Sequence, residues 1–222
     1  MSNKYCYGAN TQHLCNLNQP FYIPDTSNSN WTGDPINYTT NSWGFRSKEF
    51  HGEKRNSIIF LGCSHTFGIG LPVHNIWCHL VAEKMGLPYY NLAVGAGSLD
   101  SAFRVLDEWL PVMKSKHVFL QIPNNRREII DPNGNSIKVL PTKPSKWDIL
   151  LLNDYEINRT KNLLAMRQIC STYGSKFTCL DSENFTPPVH FDTGLIPHEK
   201  ARDGLHYGPS QHRQFAKIIL DI

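Results

Sequence analysis

No apolar run in this 222-residue chain approaches the roughly 20 residues that a membrane span needs. The polar start Met1-Ser2-Asn3-Lys4 does not open a signal peptide. A soluble, cytoplasmic protein is the expectation. Charge imbalance is lacking too: 22 Lys and Arg stand against 19 Asp and Glu, for a formal net charge of +3. That is too small to argue for nucleic acid or for an anionic membrane surface. The six cysteines (Cys6, Cys15, Cys63, Cys78, Cys170 and Cys179) show no CxxC spacing, which argues against a zinc ribbon. They read as free thiols in a reducing compartment, with a Cys6–Cys15 bridge as the alternative. Gly95-Ala96-Gly97 is too short for a dinucleotide fingerprint and lacks its third glycine. No cofactor is expected. There is no internal repeat and no low-complexity block.

What is present is the composition of an ordinary globule, 40% hydrophobic and 18% charged, at a length that suits one well-filled domain. Residues 1–55 differ from the rest. They are rich in Asn, Thr, Ser, Tyr and Pro, yet hold Phe21, Trp31, Trp43, Phe45 and Phe50, more aromatic content than disorder carries. An irregular arm packed on the core is expected there. Within it, Thr40-Asn41-Ser42-Trp43-Gly44-Phe45-Arg46 reads as a turn that sets an aromatic beside an arginine.

From residue 56 strands and helices alternate. Strands are expected over 58–61, 87–92, 116–122 and 176–180, and helices over 73–85, 98–110, 154–173 and 210–220. Residues 131–147 carry several Pro, Gly and Asn and read as a long excursion. The alternation predicts a three-layer α/β/α domain over 56–222 with a mainly parallel, flavodoxin-like sheet and right-handed crossovers.

The chemistry-bearing residues fall in the loops that leave these strands, where ligands bind in open α/β sheets. Ser64 follows the first strand and reads either as a displayed nucleophile or as a helix cap. A serine hydroxyl needs a base, and a histidine base works best with a carboxylate fixing its tautomer. Asp203 and His206, three residues apart ahead of the last helix, would lie on one side of a helical turn. Taken singly they also read as a helix cap and a surface histidine.

Gly62-Cys63-Ser64-His65, Asn91 through Ser98, Asn124 and Asp203-Gly204-Leu205-His206 occur in the order of the four blocks of the SGNH (GDSL-like) hydrolases, and over 58–222 the chain resembles that family. Residues 41–46 resemble a segment found ahead of the first block in some members. The resemblance implies Ser64 as nucleophile, His206 as general base and then acid, and Asp203 as the group that holds His206. It implies an oxyanion hole from the backbone N–H of Ser64, a backbone N–H of the second-block loop (Gly95, Ala96 or Gly97) and the side-chain amide of Asn124, with Asn125 as rival. The implied activity is hydrolysis of an O-acyl ester, such as an acetyl group on a carbohydrate. A lipid or thioester acyl group is the alternative, and a non-catalytic binding module on the same fold is the alternative of another class.

Three departures stand out. Cys63 occupies the family's usual aspartate, Ala96 falls where the second-block glycine is expected, and Ile122-Pro123-Asn124-Asn125 replaces Gly-x-Asn-Asp. Thr66 also stands where a Gly-x-Ser-x-Gly elbow would have its second glycine. Cys63 as a thiol nucleophile ranks below Ser64. His65, His74, His79, Cys63 and Cys78 have no metal-ligand spacing, so no metal is expected. Arg126-Arg127 reads as a solvated basic pair or as a hold for an anionic substrate group.

Overall fold

The computed structural model describes residues 20–22, 32–34, 36–50, 54–123, 127–130, 136–139, 154–181 and 199–221. In the arm, β1 (Pro20–Tyr22) and β2 (Asn37–Thr39) pair antiparallel. The main sheet consists of β3 (Ile58–Leu61), β4 (Tyr89–Asn91), β5 (His117–Ile122) and β8 (Lys176–Asp181), all parallel, in the order β4-β3-β5-β8. With the first strand of the sheet flanked by the second and third, the order is flavodoxin-like. It puts the loop after β3 at the point where the chain reverses its direction of winding. That loop carries Ser64.

β3 is buried along its whole length, because helices cover both faces of a parallel sheet. Alternate residues serve the two faces. Ile59 and Leu61 enter one core with α3 (Leu99–Met113) and α4 (Tyr155–Thr172), through residues such as Leu106, Leu110 and Met166. Ile58 and Phe60 enter the other with α2 (Trp77–Met85) and α5 (Pro209–Asp221), through Trp77, Val81 and Phe215.

The helix expected over 73–85 is divided. Val73–Asn75 form a 3-10 turn, Ile76 is extended (ψ 143°), and α2 starts at Trp77. The physical reason is a capture at the restart: the Trp77 N–H donates to Nδ1 of His212 on α5, 3.0 Å away. That supplies an acceptor for one of the donors a helix start leaves open.

The arm residues seen here pack on the first core. Trp43 and Phe50 lie edge-on to Trp109 at centroid distances of 4.8 and 4.7 Å, and Phe45 packs on the same ring at 6.3 Å. Each such pair adds about 0.5–1.5 kcal/mol beyond area burial. The turn around residue 43 is fixed by Asn41, whose Oδ1 accepts from the N–H groups of Trp43 and Phe45. Part of the 131–147 excursion is strand: β7 (Ser136–Val139) pairs antiparallel with β6 (Arg127–Ile130). Residues 131–135 and 140–147 lie outside the described residues, as do Cys6 and Cys15. Cys63, Cys78, Cys170 and Cys179 are free thiols. No described helix is long and apolar enough to cross a membrane.

Candidate active site

The turn after β3 is shaped by what surrounds Gly62. Its φ is +155°, and a Cβ there would stand 2.2 Å from Thr66 Oγ1 and 2.8 Å from Thr66 Cβ. Only glycine accommodates that approach. Cys63 is extended and buried, and its carbonyl accepts from the Phe67 N–H, so Ser64 opens the one-turn helix α1 (Ser64–Phe67). Gly68 closes the turn at φ +83°. Thr66 fastens it underneath: its hydroxyl donates to Gln121 Oε1 at 2.6 Å, and its carbonyl accepts from Asn91 Nδ2 at 2.8 Å. The Ser64 turn is thus tied to β5 and β4 at once.

Arg46 braces the far end of that turn. Its Nη1 donates to the carbonyls of Phe67 and Gly68, and its Nη2 to that of Leu71, at 2.8–3.1 Å. The guanidinium lies 4.6 Å above the Tyr38 ring, and the Tyr38 hydroxyl accepts from the Gly70 N–H. Gly70 in turn sets the distance to the second half of the site, since its carbonyl accepts from the Arg202 N–H and a Cβ on it would stand 2.7 Å from Ala201 Cβ.

Asp203 and His206 sit in a tight turn, not in a helical one. Gly204 adopts φ +69°, and the Ala201 N–H donates to the His206 carbonyl. Asp203 Oδ1 accepts from the backbone N–H groups of Leu205 and His206, both at 3.1 Å. Its Oδ2 accepts from His206 Nδ1. A carboxylate only accepts, so this bond holds the proton on Nδ1 and leaves Nε2 as an acceptor. Ser64 Oγ lies 2.8 Å from Nε2 and donates to it. Burial alone would raise the Asp203 carboxyl. The hydrogen bonds from the His206 ring and from the His206 and Leu205 amides outweigh that, and hold it below the usual carboxylate value. His65 stacks on Tyr207 at 4.2 Å and meets the edge of the His206 ring at 5.0 Å, so it walls this side.

Of the N–H groups expected to face an oxyanion, those of Ser64 and Ala96 donate to no acceptor among the described residues. The Gly97 N–H is engaged, donating to the Val94 carbonyl at 2.9 Å, which takes it out of that role. Ala96 holds φ +53°, the left-handed conformation that glycine would take without strain. Asn124 and Asn125 lie outside the described residues, but both ends of their segment are fixed. Asp100 does most of this, accepting from Arg127 Nε, the Glu128 N–H, Asn158 and Asn162. Arg127 is therefore a partner of Asp100 with little exposure, neither a solvated cation nor a free hold for substrate. Arg126 lies outside the described residues.

No protein-family model matches the chain, and no curated protein does. Solved structures do. TesA matches at 14% identity and a TM-score of 0.49, over 74% of this chain and 96% of that one. The psychrotrophic esterase EstA from Pseudoalteromonas sp. matches at 15% and 0.41, over 75% and 95%. The acetyl xylan esterase Est2A from Butyrivibrio proteoclasticus matches at 13% and 0.37, over 78% and 64%. Other matches are described as G-D-S-L and SGNH hydrolases. At identities of 12–15% and TM-scores below 0.5 these are distant likenesses, and the chemistry rests on the geometry of this site.

Sequence reasoning gives Gln121 and Tyr38 no role, and gives Thr66, Asn91 and Asp100 none of the bracing roles they have here. Asn91 and Gln121 carried a signal, as polar side chains at or near the ends of otherwise apolar strands. Among the described residues no three His, Cys, Asp or Glu side chains gather as metal ligands do.

Proposed function

We propose that the protein is a serine ester hydrolase acting through an acyl-enzyme, with a small O-acyl group, such as acetyl on a carbohydrate, as its substrate. The observation that carries this reading is the continuous hydrogen-bond line from Ser64 Oγ to His206 Nε2 and from His206 Nδ1 to Asp203. Ser64 attacks the acyl carbonyl carbon while His206 takes its proton. The tetrahedral oxyanion is met by the N–H groups of Ser64 and Ala96, each worth about 3 kcal/mol of transition-state stabilisation. Protonated His206 gives its proton to the leaving alkoxide, and the acyl group stays on Ser64. Water then attacks the acyl-enzyme with His206 as base, which releases the acid and restores Ser64. Asp203, acceptor-only and below its usual pKa, keeps the ring oriented through both halves.

The same pair of halves would serve a lipid or thioester acyl group, and a module that only binds would keep the fold without turnover. Incubation with a fluorophosphonate followed by mass mapping separates the hydrolase from the module. A covalent adduct on Ser64, absent in Ser64→Ala, is expected. Folded protein with no adduct would overturn the hydrolase reading.

A further inference from the structure

A concavity of about 710 Å³ opens between the arm, the turn at residues 72–74 and β4. That volume is in the range of small-molecule clefts. Arg46, Lys48 and Arg202 line it together with the imidazoles of His74 and His79, and among the described residues no carboxylate does. Among the described residues none of the three cations has an ion-pair partner. Arg46 is the telling one. It is 6% exposed, and its hydrogen bonds go to three carbonyls, which take up donors without cancelling charge. A buried cation without a counter-ion is costly unless something supplies one. Glu49 makes no ion pair with Arg46 among the described residues; its two oxygens accept from the Ser42 N–H and hydroxyl.

Arg202 is held in place at the rim. Its Nη1 donates to the Asp34 carbonyl and its side chain runs over Gly33, with Nε 3.5 Å from where a Cβ would be. The remaining wall offers an organic body something to lie on: Ile36, Pro72, Val73 and the Tyr89 ring. Burial pushes the Tyr89 phenol up to about 12, so it stays neutral and adds no opposing charge.

We propose that this cleft binds a small organic molecule through a phosphate monoester, the dianion answering Arg46, Lys48 and Arg202 and the carbon skeleton lying against Tyr89 and Val73. Guanidinium and ammonium groups lining one cleft, with no carboxylate among its described residues, are the donor set such a group takes. The site is separate from Ser64 and does not depend on that residue's chemistry. Two sources share this recognition, a phosphate carried by the acyl acceptor and a free phosphorylated effector.

The test is calorimetric titration of the full chain with phenyl phosphate, with phenol as the neutral control, in wild type and in Ser64→Ala alike. Binding of phenyl phosphate but not phenol is expected in both proteins, weakening as salt is raised. Lys48→Glu and Arg202→Gln, checked as folded by circular dichroism, should each lose about tenfold or more in affinity, in line with a charged hydrogen bond removed. Arg46 is left alone because it braces the nucleophile turn. No binding by wild type, equal binding of phenol, or undiminished affinity in both variants would overturn the proposal. With a neutral ester as substrate, a rise in KM alone on adding phenyl phosphate assigns the phosphate to the substrate, and a change in kcat assigns it to an effector.

Discussion

Two turns meet at the site, and they are built by opposite means. The turn that displays Ser64 places glycine wherever the backbone leaves ordinary territory, at residues 62, 68 and 70. The turn after β4 puts its left-handed residue at Ala96. At Gly62 the choice is forced by space as well as by angle, since Thr66 fills the place of a side chain. At Ala96 it is a matter of angle, and an L-residue there carries strain of about 1–2 kcal/mol. One turn excludes any other residue; the other tolerates a mild misfit.

The largest expected effect removes the proposed nucleophile that the first turn carries. Ser64→Ala should lower ester turnover by about 10⁴-fold or more, with thermal stability nearly unchanged. Burst and steady-state kinetics on p-nitrophenyl acetate measure this, and unchanged turnover would move the nucleophile elsewhere. Asp203→Asn follows, with kcat lower by about 10³–10⁴-fold in a folded protein, because the ring loses its fixed tautomer. Gly62→Ala should cost about 2–4 kcal/mol in chemical denaturation and lower activity with it, as Thr66 must abandon Gln121. If it melts like wild type, the first turn is more pliant than its contacts imply.

The pH dependence comes next. Burial holds His117 down to about 4, aided by Lys176 and Lys116, and holds His212 down to about 3, aided by the charges of His65, His206 and Arg46. Both stay neutral in the fold while their unfolded counterparts take up a proton near 6.5. Their stabilisation is whole above that value and shrinks as pH falls toward 4 and 3, because the unfolded state binds more protons there. Asp203 and Asp100, both below the usual carboxylate value, add a further loss only at lower pH. Stability should therefore start to decline near pH 6.5. His212→Gln should flatten that early decline, and an unaltered slope would refute the assignment.

The smallest effect is the mirror of Gly62→Ala. Ala96→Gly relieves the left-handed strain but frees the unfolded chain, terms of similar size, about 1 kcal/mol each. Melting temperature should move by no more than a few degrees and activity should persist. A large loss would mean that the Ala96 methyl itself packs against something the turn needs.

Much of this was legible along the chain because it follows from periodicity. The four strands and the helix at 210–220 fall within a residue or two of expectation, since each is an apolar run or stripe bounded by Gly or Pro; the helix at 154–173 does so too, ended by Gly174, although its buried face carries Asn158 and Asn162. The resemblance named Ser64, Asp203 and His206, and the structure brings them into one hydrogen-bonded line. What was not legible depends on partners far away in sequence. The break at Ile76 needs His212, and the burial of Arg127 needs Asp100, Asn158 and Asn162, none of which a local window contains. The Gly97 N–H is lost to Val94 by the shape of one turn, which residue types alone do not fix.

Arg46 has a practical consequence for anyone trimming this chain. Every proposed catalytic group lies at or beyond Ser64, so a fragment starting at the first strand of the main sheet would look complete by its motifs. It would lack the Arg46 guanidinium that fastens three carbonyls at the end of the Ser64 turn, and the tyrosine ring beneath it. Such a fragment is expected to fold its sheet and yet present Ser64 loosely, keeping the proposed chemistry and losing its aim.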